Sequence, residues 1–364
     1  MKRKPTKPVF TLGRLGVAPS ADFGYRSKIT NSYVPTGSST VTVRNSAGFS
    51  VGQDVYISRA VTDGWLRYNG MDDLVRDGDE QTWIPIGQKI MSPNTIKAVN
   101  GNQITFRIPL ADSLNSKYMA PEVWAYTAPD RTSEMGVQNL RIEVPNTCSG
   151  TSLLNTTCNY AAVRFSSWTV DSWAKGLTLV GFNKFFEVQK NAARITIQSN
   201  TMDRDRDIEG TILPFDIALK GSQVLVKDCE QVGLSTARSF SLSTDALTPG
   251  PNAVVRYSTP SNLQIIAPYQ RWAWGLLVED TSVATRFENR GNKGSGHGWT
   301  MNSGVGWNLR GKTVFESPPL GTNWCVGCGR PESETGSGNG TFILKGTEVT
   351  PTSLFGSQLS ARGF

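Results

Sequence analysis

Short apolar runs recur along the whole chain, and none of them keeps a helical period. Val41-Thr42-Val43, Val55-Tyr56-Ile57 and Ile104-Thr105-Phe106-Arg107-Ile108 put apolar side chains at alternate positions, as strands with one buried face do. Residues up to about 130 read as a β-rich region with long loops, the longest from Asp63 to Thr82. Asn100-Gly101 inside this region is a hairpin-turn signal.

Beyond residue 130 the runs become rhythmic. Leu140-Arg141-Ile142, Leu177-Thr178-Leu179, Ile195-Thr196-Ile197 and Val224-Leu225-Val226 are followed by Val254-Val255, Leu276-Leu277-Val278 and Trp307-Asn308-Leu309. Their spacing, roughly 20–35 residues, is that of a solenoid. Turn residues and Asn separate them, so βαβ units and leucine-rich repeats fit poorly. The pattern predicts an all-β protein: a right-handed, single-stranded parallel β-helix over 131–364 with a C-terminal cap. It leaves a β-rich region over 31–130 and an irregular segment over 1–30. A β-sandwich is the runner-up; it needs antiparallel hairpins where the rhythm is strongest.

Composition narrows this further. With 36 Gly, 19 Pro and no long Ala/Leu/Glu/Lys runs, the chain is not a helical bundle. An apolar fraction of 38% excludes a disordered chain, and no apolar run is long enough for a membrane-spanning helix. The net charge of +7 is dispersed, and Lys2-Arg3-Lys4 is the one basic run. That speaks against nucleic acid as a partner and suits an acidic polysaccharide. Neither a membrane nor a second copy is expected as a partner.

The five cysteines bear on location. Cys148 and Cys158 flank a short polar loop and read as a disulfide-closed hairpin. Cys325-Val326-Gly327-Cys328 reads as a local disulfide or two thiols, since no second pair completes a zinc site. Cys229 reads as a buried thiol. Asn155-Thr156-Thr157 and Asn339-Gly340-Thr341 are glycosylation sequons. These features predict a secreted glycoprotein, and the basic start without an apolar stretch reads as a chain that has lost its leader.

Two stretches carry candidate chemistry. In Met202-Asp203-Arg204-Asp205-Arg206-Asp207 an extended strand puts Asp203, Asp205 and Asp207 on one face. Three carboxylates together make Ca²⁺ the one cofactor the spacing allows, against the alternative of a solvated, self-neutralised turn. The second stretch runs from Tyr269-Gln270-Arg271-Trp272 to Asn289-Arg290-Gly291-Asn292 and Gly296-His297-Gly298-Trp299. His297 is the sole histidine, and its glycine flanks allow φ > 0 and favour an exposed ring. Asn289, Asn292, Trp272, Trp274 and Trp299 are candidate substrate contacts, though any single indole is as readily core packing.

Residues 30–360 resemble secreted parallel β-helix proteins of the pectate-lyase-like superfamily. The resemblance is carried by Val51-Gly52-Gln53-Asp54-Val55-Tyr56-Ile57, Gly70-Met71-Asp72, Gly101-Asn102-Gln103-Ile104 and Pro249-Gly250-Pro251-Asn252. Gln270-Arg271-Trp272 and Gly294-Ser295-Gly296-His297-Gly298-Trp299 complete it. Similar chains carry His where this one has Tyr269. The superfamily implies a carbohydrate-active protein, with a polysaccharide lyase ahead of a glycoside hydrolase or a non-enzymatic carbohydrate-binding protein. A uronate lyase must neutralise a carboxylate, take the C5 proton and protonate the leaving oxygen. Arg271 and Arg290 suit the first task; His297 or Tyr269 suits the proton transfers. A hydrolase needs two carboxylic acids, drawn from Asp203, Asp205, Asp207, Asp216, Glu279 and Asp280.

Overall fold

A computed structural model describes residues 8–144, 161–205, 213–331 and 340–364. From Thr132 onward the strands pair in parallel with the strand one coil away. They stack into a nine-stranded sheet, a ten-stranded sheet and a shorter four-stranded sheet. The fold is the right-handed parallel β-helix that the strand recurrence and the resemblance imply, the hand expected of parallel crossovers.

Period-two patterning explains the packing. Ala174, Ile197, Val226, Val254 and Val278 are in register on consecutive coils, and all five are buried. Each Val or Ile so withdrawn from water contributes about 1.5–3 kcal/mol. Three buried asparagines serve the turns. Asn200, Asn252 and Asn323 accept backbone N–H bonds from Leu177, Val224 and Gly304 at 2.9, 2.9 and 2.7 Å. Turn amides that would otherwise be buried without a partner are thereby satisfied. Cys229 is a buried free thiol, and Cys325 and Cys328 form a disulfide.

The N-terminal half is built differently. Asp22–Lys28, Pro121–Thr127, Asp54–Ala60, Lys89–Asn100, Gln103–Phe106 and Thr40–Thr42 form a six-stranded antiparallel sheet in that order. The Asn100-Gly101 signal marks its Lys89–Asn100/Gln103–Phe106 hairpin, with Gly101 at φ 55°. Two expectations change here. The N-terminal segment is not wholly irregular: Phe10–Leu12 pairs in parallel with Ala161–Phe165 on the β-helix. Nor is Asp63–Thr82 simply a loop. Asp63–Tyr68 is a helix, capped by Thr62 Oγ1 accepting from Trp65 N at 3.1 Å, and Val75–Arg76 pairs with Asp79–Glu80. Both pieces lie against the coil turns that carry the second candidate stretch.

Candidate functional site

Tyr269, Arg271 and Trp272 occupy the turn that leads into strand Leu276–Glu279. His297 and Trp299 occupy the turn one coil further on. Arg271 N donates to His297 O at 3.0 Å, and Trp272 N donates to Trp299 O at 2.8 Å. Arg271 and Trp272 hold φ of 50° and 52°, a left-handed geometry that is costly for bulky side chains and often found at functional turns.

The four residues assigned to catalysis meet. The Tyr269 and His297 rings lie 4.7 Å apart, centroid to centroid. The Arg290 guanidinium sits 4.7 Å over the Tyr269 ring and donates to Tyr269 O at 2.7 Å. Arg271 Nη2 donates to Ser295 O and to Ser295 Oγ, both at 2.6 Å. Burial, then Arg290, then Arg271 push the His297 imidazole down to about 4. At neutral pH it is therefore uncharged, and a weaker base than an ordinary imidazole.

The imidazole is not exposed as its glycine flanks led us to expect: His297 is only 5% exposed. Gly296 and Gly298 do take φ of 71° and 55°. They use that freedom to let other groups approach. A Cβ on Gly298 would fall 2.5 Å from Met71 Sδ and from Trp83 Nε1, and one on Gly294 would fall 2.1 Å from His297 Nε2. Trp83 Nε1 donates to His297 O at 3.0 Å. His297 Nδ1 is buried without a hydrogen-bond partner among the described residues.

The proposed sugar platforms are also core. Trp272, Trp274 and Trp299 are 0%, 1% and 6% exposed. Trp65 stacks on Trp83 at 5.1 Å and meets Trp272 edge-on at 4.8 Å. Trp299 Nε1 donates to Asn69 O at 2.9 Å. Buried Arg59 lies 4.6 Å over Trp65, pairs with Asp112 at 2.8 Å, and Asp112 accepts from Asn302 at 2.7 Å. Trp65 and Trp83 pack edge-on against Trp272, and all three candidate indoles are buried in this cluster, so they offer no surface to a sugar ring. Asn289 is half-buried and holds the turn, with its side chain accepting from Gly291 N and its N–H donating to Glu316. Asn292 is exposed.

The carboxylates separate. Arg204 turns inward and binds Asp216 Oδ1 at 2.5 Å inside the β-helix, where burial raises the Asp216 pKa. Glu279 is covered by the C-terminal segment, accepting from Ser353 Oγ and from Phe355 N. Asp280 pairs with Arg310. These three are structural. Asp203 is half-buried and Asp205 exposed, while Asp207 lies outside the described residues, as do Cys148, Cys158, Asn155 and Asn339. No group of three metal-binding side chains occurs among the described residues.

The sequence reading missed two features. Glu288 and Glu316 follow Phe287 and Phe315, which pair in register on adjacent coils. Glu288 and Glu316 are therefore backbone neighbours on adjacent coils; burial first, and then the Glu288 charge, raise the Glu316 pKa, while the Asn289 N–H that its carboxylate accepts lowers it. The second is a groove of about 540 Å³ between the antiparallel sheet and the β-helix. No local motif announces either, because both arise from residues far apart in sequence.

No family model matches the sequence, and no curated protein matches it. Several solved structures are similar, three of them as follows. The tailspike protein gp49 from Pseudomonas phage LKA1 aligns at 11% identity and a TM-score of 0.36. The gp54 tailspike of Acinetobacter baumannii bacteriophage AP22, solved in complex with A. baumannii capsular saccharide, aligns at 7% and 0.32. Each match covers 91% of this chain and 64% of the tailspike chain, so the protein spans less than two thirds of their length. The catalytic domain of a GH87 alpha-1,3-glucanase, in complex with nigerose, aligns at 8% and 0.24, covering 93% of this chain and 98% of that one.

Proposed function

We propose that the protein cleaves an acidic polysaccharide by β-elimination at the Tyr269, Arg271, Arg290 and His297 cluster. The observation that carries this reading is the meeting of three groups on adjacent coils, with the Tyr269 ring 4.7 Å from the His297 ring and 4.7 Å from the Arg290 guanidinium. A neutral imidazole takes a proton that an imidazolium cannot. In the reaction, the base takes the C5 proton, the C4–O bond breaks, a C4=C5 double bond forms and the leaving oxygen gains a proton. Arg290 and Arg271 supply the positive charge that a C6 carboxylate needs while C5 is deprotonated. Tyr269 and His297 divide the proton transfers, with half-buried Tyr269 nearer to solvent.

A hydrolase reading has an observation of its own, Glu288 and Glu316 at neighbouring backbone positions on adjacent coils. One carboxyl with a raised pKa beside a second carboxylate is the arrangement that protonates a leaving oxygen while stabilising the sugar cation. Incubation with a panel of acidic polysaccharides separates the readings. Ultraviolet absorbance of an unsaturated uronate is the expected product signal. New reducing ends without that absorbance would transfer the chemistry to Glu288 and Glu316. Binding without either product would make the protein a carbohydrate-binding one.

Export also belongs to this proposal. The Cys325–Cys328 disulfide supports it, since such bonds persist in oxidising compartments. Thiol titration of the native protein should find Cys229 alone; free Cys148 and Cys158 would remove the main support.

A further inference from the structure

The groove beside the antiparallel sheet has a chemistry of its own. Its floor is aromatic: Tyr56 stacks on Tyr126 at 4.3 Å, and Trp168 lies 6.3 Å from Tyr126. Lys89, Arg107, Arg131, Lys190 and Arg194 line it, against one carboxylate, Asp54. Arg131 is paired with Asp54 at 2.6 Å and Arg194 with Asp171 at 2.5 Å. Arg107 and Lys190 are exposed. Lys89 is shared with a shallower depression that adds Arg26, Lys28 and Arg44 and one carboxylate, Glu122. Lys89 and Arg26 lie 5.5 and 5.6 Å from the Trp124 ring, and the ring of Phe23, 54% exposed, meets Trp124 edge-on at 5.5 Å. The groove and its continuation therefore form a track of eight basic side chains against two carboxylates.

We infer that this track binds an acidic polysaccharide chain, as a site separate from the His297 cluster. Three observations fix the class of ligand. The excess of cations calls for a polyanion. The lining also holds the carboxamides of Gln88, Asn191 and Gln223, which donate and accept at once. Sugar hydroxyls answer both functions, whereas nucleic-acid phosphates only accept. Third, the groove crosses consecutive coils, touching Trp168, Lys190, Ser222 and Leu247. At roughly 4.8 Å per coil this is a run of about 14 Å, suited to a linear polymer. Leu247, at its end, donates its N–H to Arg271 O at 2.9 Å, so the track stops one coil short of the cluster. The inference takes the identity of the polymer from the proposed function, and nothing from the chemistry of cleavage.

The test is a titration of the full chain with polygalacturonate, alginate and chondroitin sulfate. Neutral dextran and a single-stranded DNA oligomer serve as controls, all at graded salt. Wild type should bind at least one acidic glycan more tightly than dextran and DNA. The double variant Arg107→Ala/Lys190→Ala should bind that glycan about tenfold more weakly, with a flatter salt dependence. Lys345→Ala, an exposed lysine outside both the track and the cluster, should bind it as wild type does. Unchanged binding by the double variant, tighter binding of DNA, or no binding of any acidic glycan would overturn the inference. Glycan binding that the double variant loses, in a protein with no cleavage product, would uphold the track while removing the lyase reading.

Discussion

The seam between the antiparallel sheet and the β-helix has two ends that are built oppositely. At one, Trp65, Trp83, Trp272, Trp274 and Trp299 close on each other, and Arg59 is buried with Asp112 as its counterion. At the other, the two halves stand apart around a groove lined by Lys89, Arg107 and Lys190. The same two structural units meet at both ends, so fold alone does not decide which end opens. Side-chain chemistry does. Indoles bury large apolar areas and exclude water, whereas a surplus of cations over carboxylates repels itself unless solvent or a polyanion separates it. The closed end holds the molecule together, and the open end is where we propose that the glycan lies.

Substitutions at the two ends should therefore read out differently. The largest effect is expected from Trp272→Ala at the closed end, where the side chain is fully buried. It should destabilise the protein by about 3–5 kcal/mol in denaturant unfolding. A loss below about 1 kcal/mol would mean that the indole cluster does not secure the seam.

A smaller effect concerns acid. The His297 pKa falls from 6.5 in the unfolded chain to about 4 in the folded one. The folded state therefore holds the proton more weakly, and the associated stability is present above pH 6.5 and lost as the pH falls towards 4. Its full size is at most about 3 kcal/mol. Comparing melting temperatures of wild type and His297→Gln across that window isolates the contribution. The two curves should converge as pH falls; parallel curves would show that the imidazole is not held neutral.

Next comes Gly294→Ala. Gly294 has φ 65° and ψ −126°, a region open essentially to glycine, and the added methyl meets His297 Nε2. A cost of about 1–3 kcal/mol follows. Gly291→Ala is the control: its φ of 45° carries a left-handed backbone cost of about 1 kcal/mol, but nothing lies within 4 Å of its Cβ position, so it should cost less than Gly294→Ala. Equal losses would remove the steric explanation for Gly294. The smallest effect belongs to the open end. Arg107→Ala/Lys190→Ala should change unfolding stability by no more than about 0.5 kcal/mol, so that any change in glycan binding is not a folding defect.

The fold was largely readable because a strand with one buried face must alternate. Ile195-Thr196-Ile197 alternates in residue type and Val224-Leu225-Val226 in burial, and both lie in the ten-stranded sheet. Leu177-Thr178-Leu179 has the same pattern yet leads into the four-stranded sheet. Periodicity reports an inward face, not which sheet supplies it. The cluster of Tyr269, Arg271, Arg290 and His297 was also readable, because residues one coil apart stack. The fate of the indoles was not, since it depends on the helix at Asp63–Tyr68 docking from far away in sequence. Glu288 and Glu316 escaped notice for a related reason: each is an ordinary polar residue after a strand, and only the Phe287–Phe315 register brings them together.

The most direct measurement is the rate at which the unsaturated product forms from an acidic polysaccharide, for wild type and for His297→Gln at neutral pH. Binding and folding of the variant are checked in parallel. If His297 is the proton-transfer group, turnover should fall by about 10²–10⁴-fold while affinity for the glycan stays the same. Equal turnover in the two proteins would contradict the assignment and leave the imidazole as a packing residue beneath Tyr269.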